Sequence, residues 1–192
     1  MQLMISRQPN VNFYNNPIIA AVRNKSDLED SFQSNVSTVF ILHSSILNAR
    51  HLVELCREHG KYVLVHLDMV EGLGSDMEAV RFIKEVVNPH GVISTRTNVL
   101  KHARECELYT IQRCFCVDSA ALRSGIKAAE QICPDAIELL PGIVSKAVYK
   151  FVSQLNRPII TGGLISTKED IIASLNAGAM AISTSCKDLW NK

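Results

Sequence analysis

The sequence predicts a compact (β/α)8 barrel of TIM type, a single α/β domain with short helices. Three observations carry this. Eight short apolar, β-rich runs alternate with helical patterns along the 192 residues, which leaves an open doubly wound sheet or a closed barrel. The runs are continuous rather than alternating, as strands covered on both faces are. Polar residues follow the carboxyl end of every run. A barrel brings all those ends to one mouth, whereas an open sheet gathers ligand groups at one crevice. All eight runs contribute, so the closed form fits better.

In chain order the strands read Pro17–Val22, Thr38–His43, Tyr62–Leu67, Gly91–Thr95, Leu108–Arg113, Ala136–Leu140, Pro158–Thr161 and Ala179–Thr184. The helices between them have readable ends. Ser26-Asp27-Leu28-Glu29 and Ser166-Thr167-Lys168-Glu169 read as capping boxes. Leu52, Val53 and Cys56 share one face of a helix that Gly60 terminates. Ser75 and Asp118 are caps for later helices, the second carrying Leu122, Ile126 and Ala129. The strand-to-strand repeat averages about 23 residues, against ~31 in a typical barrel of ~250 residues. The helices must therefore be short, with no inserted domain. Residues 1–192 form one barrel domain, with 1–16 as a lead-in.

Composition excludes other classes. With 47% hydrophobic and 20% charged residues, the chain is neither disordered nor a coiled coil. Twenty Lys/Arg against 19 Asp/Glu give a net charge of +1, so no whole-molecule field draws it to nucleic acid or an anionic membrane. Apolar runs such as Ala177–Ile182 are too short to span a bilayer. Met1–Arg7 lacks the features of a signal peptide, so a cytoplasmic location is expected. Six cysteines stand at 56, 106, 114, 116, 133 and 186, free thiols in a reducing compartment. Cys114-Phe115-Cys116 has no second Cys pair for a zinc site. These two read as buried small apolar residues. No metal or cofactor is expected.

The sharpest local signal lies in the last two units. Thr161-Gly162-Gly163 ends the seventh strand before a capped helix, and Ser183-Thr184-Ser185 ends the eighth. Loops after strands seven and eight bind phosphate in many barrels, with glycine letting backbone N–H groups approach the anion. Gly162, Gly163, Thr184 and Ser185 are the phosphate candidates.

After the third strand, the loop from Asp68 to Asp76 holds two glycines among carboxylates, as either a lid over a ligand or a solvated loop. Asp68 and Glu71 alone supply too few oxygens for a hard cation. His66 and Asp68, two apart on a strand end, suit either acid–base work or a hydrogen-bonded core element. Gln112, Arg113 and Glu138 are ligand-contact candidates. A lone charge at a strand end is costly to bury, so Arg113 and Glu138 meet each other or a polar ligand.

Residues 96–157 hold nine Lys/Arg against six Asp/Glu. Lys101, Arg104, Arg123, Lys127, Lys146 and Lys150 make a basic side, with Arg123/Lys127 and Lys146/Lys150 each sharing a helix face. Such a side is either a solvated surface or an RNA contact; no aromatic-rich RNA motif accompanies it.

Over Pro17–Cys186 the chain resembles the glycerol uptake operon antiterminator regulatory proteins. The resemblance rests on Pro17–Val22, His66-Leu67-Asp68 with Glu71-Gly72-Leu73, Gly91–Thr95, Thr110–Arg113, Asp118-Ser119, Pro134–Gly142, Pro158–Ile165 and Ser183–Ser185. It implies a cytoplasmic, non-enzymatic regulator whose effector is glycerol 3-phosphate. Such a regulator acts on the leader messenger RNA of a glycerol-utilisation operon, without membrane contact and with homo-oligomers open. The residues alone leave two rivals: a barrel isomerase, aldolase or phosphodiesterase acting on a small phosphorylated metabolite, and a regulator working through a protein partner.

Overall fold

The structure, a computed structural model, describes residues 16–191. Eight parallel strands close into a barrel in chain order: β1 (Ile18–Val22), β2 (Thr38–Ile41), β3 (Tyr62–His66), β4 (Gly91–Ser94), β5 (Tyr109–Phe115), β6 (Ala136–Leu140), β7 (Ile159–Gly162) and β8 (Ala181–Thr184). Closure is made by β1 against β8, with Ile18 opposite Ile182. The helices are α1 (Lys25–Phe32), α2 (Ala49–Glu58), α3 (Met77–Phe82), α4 (Thr97–Glu105), α5 (Ser119–Ile132), α6 (Ser145–Gln154) and α7 (Lys168–Asn176). Among the described residues only α5, at 14 residues, is longer than ten. Among the described residues no helix is long and apolar enough to cross a membrane.

Strand periodicity explains how the core divides. Ile19, Phe40, Leu64, Ile93, Ile111, Ala136, Ile160 and Ala181 face inward and fill the barrel's centre. Their neighbours face outward: Ala20, Val39, Val63 and Val92 pack under α1 to α4 in one cluster, Ile137 and Ile159 under α5 and α6 in another. Both faces of the sheet are thus covered, which is why the strands read as unbroken apolar runs. Cys114 and Cys116 belong to the outer cluster, and burial pushes both thiols up, Cys114 to about 12.

Some boundaries differ from the sequence reading. The second and third strands stop short, at Ile41 and His66, because Ser44–Ser45 and Val70–Glu71 leave the barrel and pair in a ladder of their own. The fifth runs two residues farther, to Phe115, held by the pairs Cys114–Leu139 and Phe115–Leu140.

Three caps also shift by one or two residues. Asn24, not Ser26, caps α1, its Oδ1 accepting from Asp27 N–H at 2.9 Å. Asp76, not Ser75, caps α3, and the box at α7 is Thr167 with Asp170. Asp118 caps α5 as read, and Gly60, at φ +68°, follows the end of α2.

The lead-in lies outside the described residues except for Asn16, whose side-chain amide donates to Asn35 O at 2.7 Å. After β8, Lys187 bridges to Asp27 and Asp30, and Trp190, 2% exposed, donates to Thr184 O. These contacts tie the last turn to the first helix.

Candidate functional site

Counting two residues on from the central layer gives the next inward positions. From Leu64, Ile111, Ala136 and Ala181 they are His66, Arg113, Glu138 and Ser183. The apolar barrel core therefore ends in four polar side chains at the carboxyl-terminal mouth. Glu138 is wholly buried. Its Oε2 accepts from Arg113 Nε at 2.6 Å, and its Oε1 accepts from Ser183 Oγ at 2.5 Å. A buried charge is tolerable only when paired and hydrogen-bonded in this way.

Gly162 on β7 completes the group. A Cβ there would run into Ser183 Oγ and come within 2.9 Å of Glu138 Oε1. That glycine is required by close approach.

His66 is 3% exposed, and its Nδ1 has no hydrogen-bond partner. Burial pushes its pKa down to about 4, and the nearby Arg113 charge adds to the effect. The ring is neutral at pH 7 and open to a donor or an acceptor, according to tautomer.

Asp68 stands on the rim. Its Oδ1 accepts from Ser94 Oγ at 2.5 Å, and its Oδ2 from Thr95 N–H and Oγ1 at 2.7 and 2.6 Å. Burial would raise its pKa, but these bonds outweigh it and hold the carboxyl below the usual range. Arg96 Nε lies 3.9 Å away. A cavity of about 620 Å³ opens here, lined by Arg23, His43, His66, Asp68, Arg113 and Phe115 among others. A separate apolar groove of about 400 Å³ runs between α1 and α2 on the flank, sharing only Arg23 and His43 with the mouth.

Across the mouth, Gly163 follows β7 at φ +73°, and Ser185 follows β8 exposed. Among the described residues neither donates its backbone N–H to a protein acceptor. Gly142 N–H donates to Gly162 O at 2.6 Å, so the β6 loop braces the end of β7.

Two candidates have side chains that turn away from the mouth. Gln112 is one residue from inward-facing Ile111, so its side chain turns outward: Nε2 donates to Gly125 O on α5 and contacts Cys114 Sγ, both at 3.2 Å. Thr184 likewise turns outward; its Oγ1 donates to Ile165 O at 2.8 Å and accepts from Cys186 N–H at 3.0 Å. It braces the β7 loop rather than presenting a hydroxyl to the mouth. Sequence reasoning set Ser183 at a strand end without making it a ligand candidate, and missed Thr95 as part of the polar group. Counting two residues on from Ala181 and Ile93 would have found both.

Lys101, Arg123, Lys127, Lys146 and Lys150 are exposed and Arg104 is half-buried, on the consecutive helices α4, α5 and α6. The family model described as glycerol-3-phosphate responsive antiterminator matches residues 18–190, nearly the whole barrel. The chain belongs to that antiterminator family. A crystal structure of a glycerol uptake operon antiterminator regulatory protein from Listeria monocytogenes superposes on this family member with a TM-score of 0.89 at 37% identity. It covers 95% of this chain and 97% of that one. An antiterminator-related protein from Thermotoga maritima gives 0.81 at 33% identity, covering 90% and 96%. Escherichia coli YgcP, an uncharacterized protein, is 34% identical over 175 residues, covering 91% of this chain and 92% of its own. Antiterminator relatives thus share the barrel fold of this family member over nine-tenths or more of its length.

Proposed function

We propose that this chain is a glycerol 3-phosphate-responsive transcription antiterminator that binds the leader messenger RNA of a glycerol-utilisation operon and works without turnover, in the cytoplasm and without a cofactor. The phosphate rests on the N–H groups of Gly163 and Ser185, beside Gly162. The glycerol hydroxyls bond to the Arg113–Glu138 pair and Asp68.

The observation that carries this reading is the state of the two carboxylates. Glu138 already accepts from Arg113 and Ser183, and Asp68 from Ser94 and Thr95. Asp68, held below the usual carboxylate range, is a weak base with acceptor room left for a hydroxyl, whereas a general base works best with a pKa near the working pH. A family described as responsive to glycerol 3-phosphate supports the same ligand. The RNA backbone follows the basic side, Lys101 and Arg104 to Arg123, Lys127, Lys146 and Lys150. Homo-oligomers are compatible with this arrangement.

Phosphorus NMR of glycerol 3-phosphate titrated with the protein tests the first half. The expected result is a saturable shift of one resonance with no new one. A product peak that disappears in His66→Ala or Asp68→Asn would replace the sensor with an enzyme.

A further inference from the structure

We propose that the β1–β5 side of the mouth is a nucleobase site, in which one unpaired base of the bound RNA stacks on Phe115 near His66. This rests on the RNA-binding reading and adds the contact that reading lacks. Phe115 is an aromatic side chain left 54% exposed at the end of a barrel strand. Its backbone is not loose: it pairs with Leu140, and Cys116 N–H donates to Leu140 O at 2.7 Å. The backbone that carries the ring is therefore fixed before any ligand arrives. Met69, 49% exposed, lines the same cavity.

His66, which also lines the cavity, holds an unanswered polar atom. Nδ1 of His66 is buried without a partner, a state that costs free energy until something bonds to it. Base edges carry both donors and acceptors, and a neutral imidazole meets either. The rim carries the exposed Arg23, with Arg96, also exposed, beside it at 3.9 Å from Asp68. The volume, about 620 Å³, matches sites that enclose drug-sized ligands, about 300–1,000 Å³, and exceeds what a three-carbon ligand fills.

Stacking on an aromatic ring beside cationic groups is how unpaired bases are held. Position connects this ring to the basic side. Val117, 79% exposed, leads from Phe115 directly into α5, which carries Arg123 and Lys127. A strand lying along α4 to α6 can turn one base over the rim at this loop. Glycerol 3-phosphate bound at the β7–β8 end would then form the neighbouring wall, so ligand and base favour the same state by direct contact.

The test uses the full chain with Phe115→Ala, Phe115→Tyr and Phe115→Trp. The probes are the leader RNA, short oligo(A) and oligo(U), and the four nucleoside 5′-monophosphates. Phe115→Ala should weaken leader-RNA binding about 5- to 150-fold, the range for one stacked base. Phe115→Tyr should restore it, glycerol 3-phosphate affinity should not move, and the new indole in Phe115→Trp should be quenched by RNA. Unchanged RNA affinity in Phe115→Ala overturns the site while leaving the antiterminator reading intact. Monophosphates that quench Phe115→Trp as tightly as RNA would assign the site to a free nucleotide and overturn the RNA contact. If the wild-type chain binds no RNA, the reading itself fails and this site with it, whatever the glycerol 3-phosphate titration gives.

Discussion

Arg113 and Glu138 stand opposite each other in the β5–β6 ladder, with Arg113 Nε 2.6 Å from Glu138 Oε2. One strand supplies the cation and the next the anion, at the depth where the apolar barrel core gives way to the mouth. Removing the cation leaves a wholly buried carboxylate with one hydroxyl for company. Arg113→Met should therefore cost about 3–5 kcal/mol, lowering Tm by roughly 6–20 °C for a chain of this size. Calorimetry checks this. A drop within 2 °C of zero, by this estimate, would mean that the pair contributes little.

His66 gives the stability curve an acid limb. Its pKa is about 4 in the folded protein against 6.5 ordinarily, so between those values the unfolded chain binds the extra proton. The stability it preserves is full above pH 6.5 and is lost as pH falls through about 4, on the order of 3 kcal/mol in all. His66→Gln should flatten unfolding free energy against pH in that window and leave its slope above pH 7 unchanged. An identical acid limb in the variant would remove His66 as its cause.

Gly163 adopts φ +73°, where side chains are strained, and a Cβ would touch Leu140 Cδ2 at 3.3 Å. Gly163→Val should abolish glycerol 3-phosphate binding while costing about 1–2 kcal/mol for the backbone alone. Gly60 is the control. It has φ +68° with nothing within 4 Å of a Cβ, at the far end of α2, so Gly60→Val should carry similar strain and bind normally. Equal binding by both variants would move the phosphate away from the β7 loop.

Much of this was legible in the sequence, for definite reasons. Continuous apolar runs exist because both faces of every strand are covered, so Ile159–Gly162 and Ala136–Leu140 stand out within a residue of where they lie. Glu138 and Arg113 announced each other because neither charge could be buried alone. Facing was less legible. Gln112 and Thr184 were grouped with Arg113 and Ser183 by position at strand ends, yet one residue of offset turns a side chain from the mouth to the helices. The extra length of β5 was unreadable because its last pairs form with β6, 25 residues away at Arg113–Glu138. The α1 cap went to Asn24 because Ser26 and Asn24 are both competent cap residues, and which one starts a helix depends on where β1 delivers the chain.

Salt dependence locates the RNA backbone. Lys146 and Lys150 are exposed one turn apart on α6. Replacing both with Ala should flatten the log–log dependence of leader-RNA affinity on salt by roughly 0.7 per lost contact if that RNA is single-stranded. Glycerol 3-phosphate affinity should not change. An unaltered slope would place the backbone on another side of the barrel.

The central claim is that effector and RNA bind distinct sites and favour one state. Coupling between two sites is reciprocal and typically about 5- to 150-fold. The decisive measurement is therefore leader-RNA affinity at fixed salt, by gel shift or fluorescence anisotropy, with and without saturating glycerol 3-phosphate. The account predicts RNA binding tighter by a factor in that range when the effector is present, with the same factor appearing in effector affinity when RNA is present. Equal RNA affinity in the two conditions would contradict it.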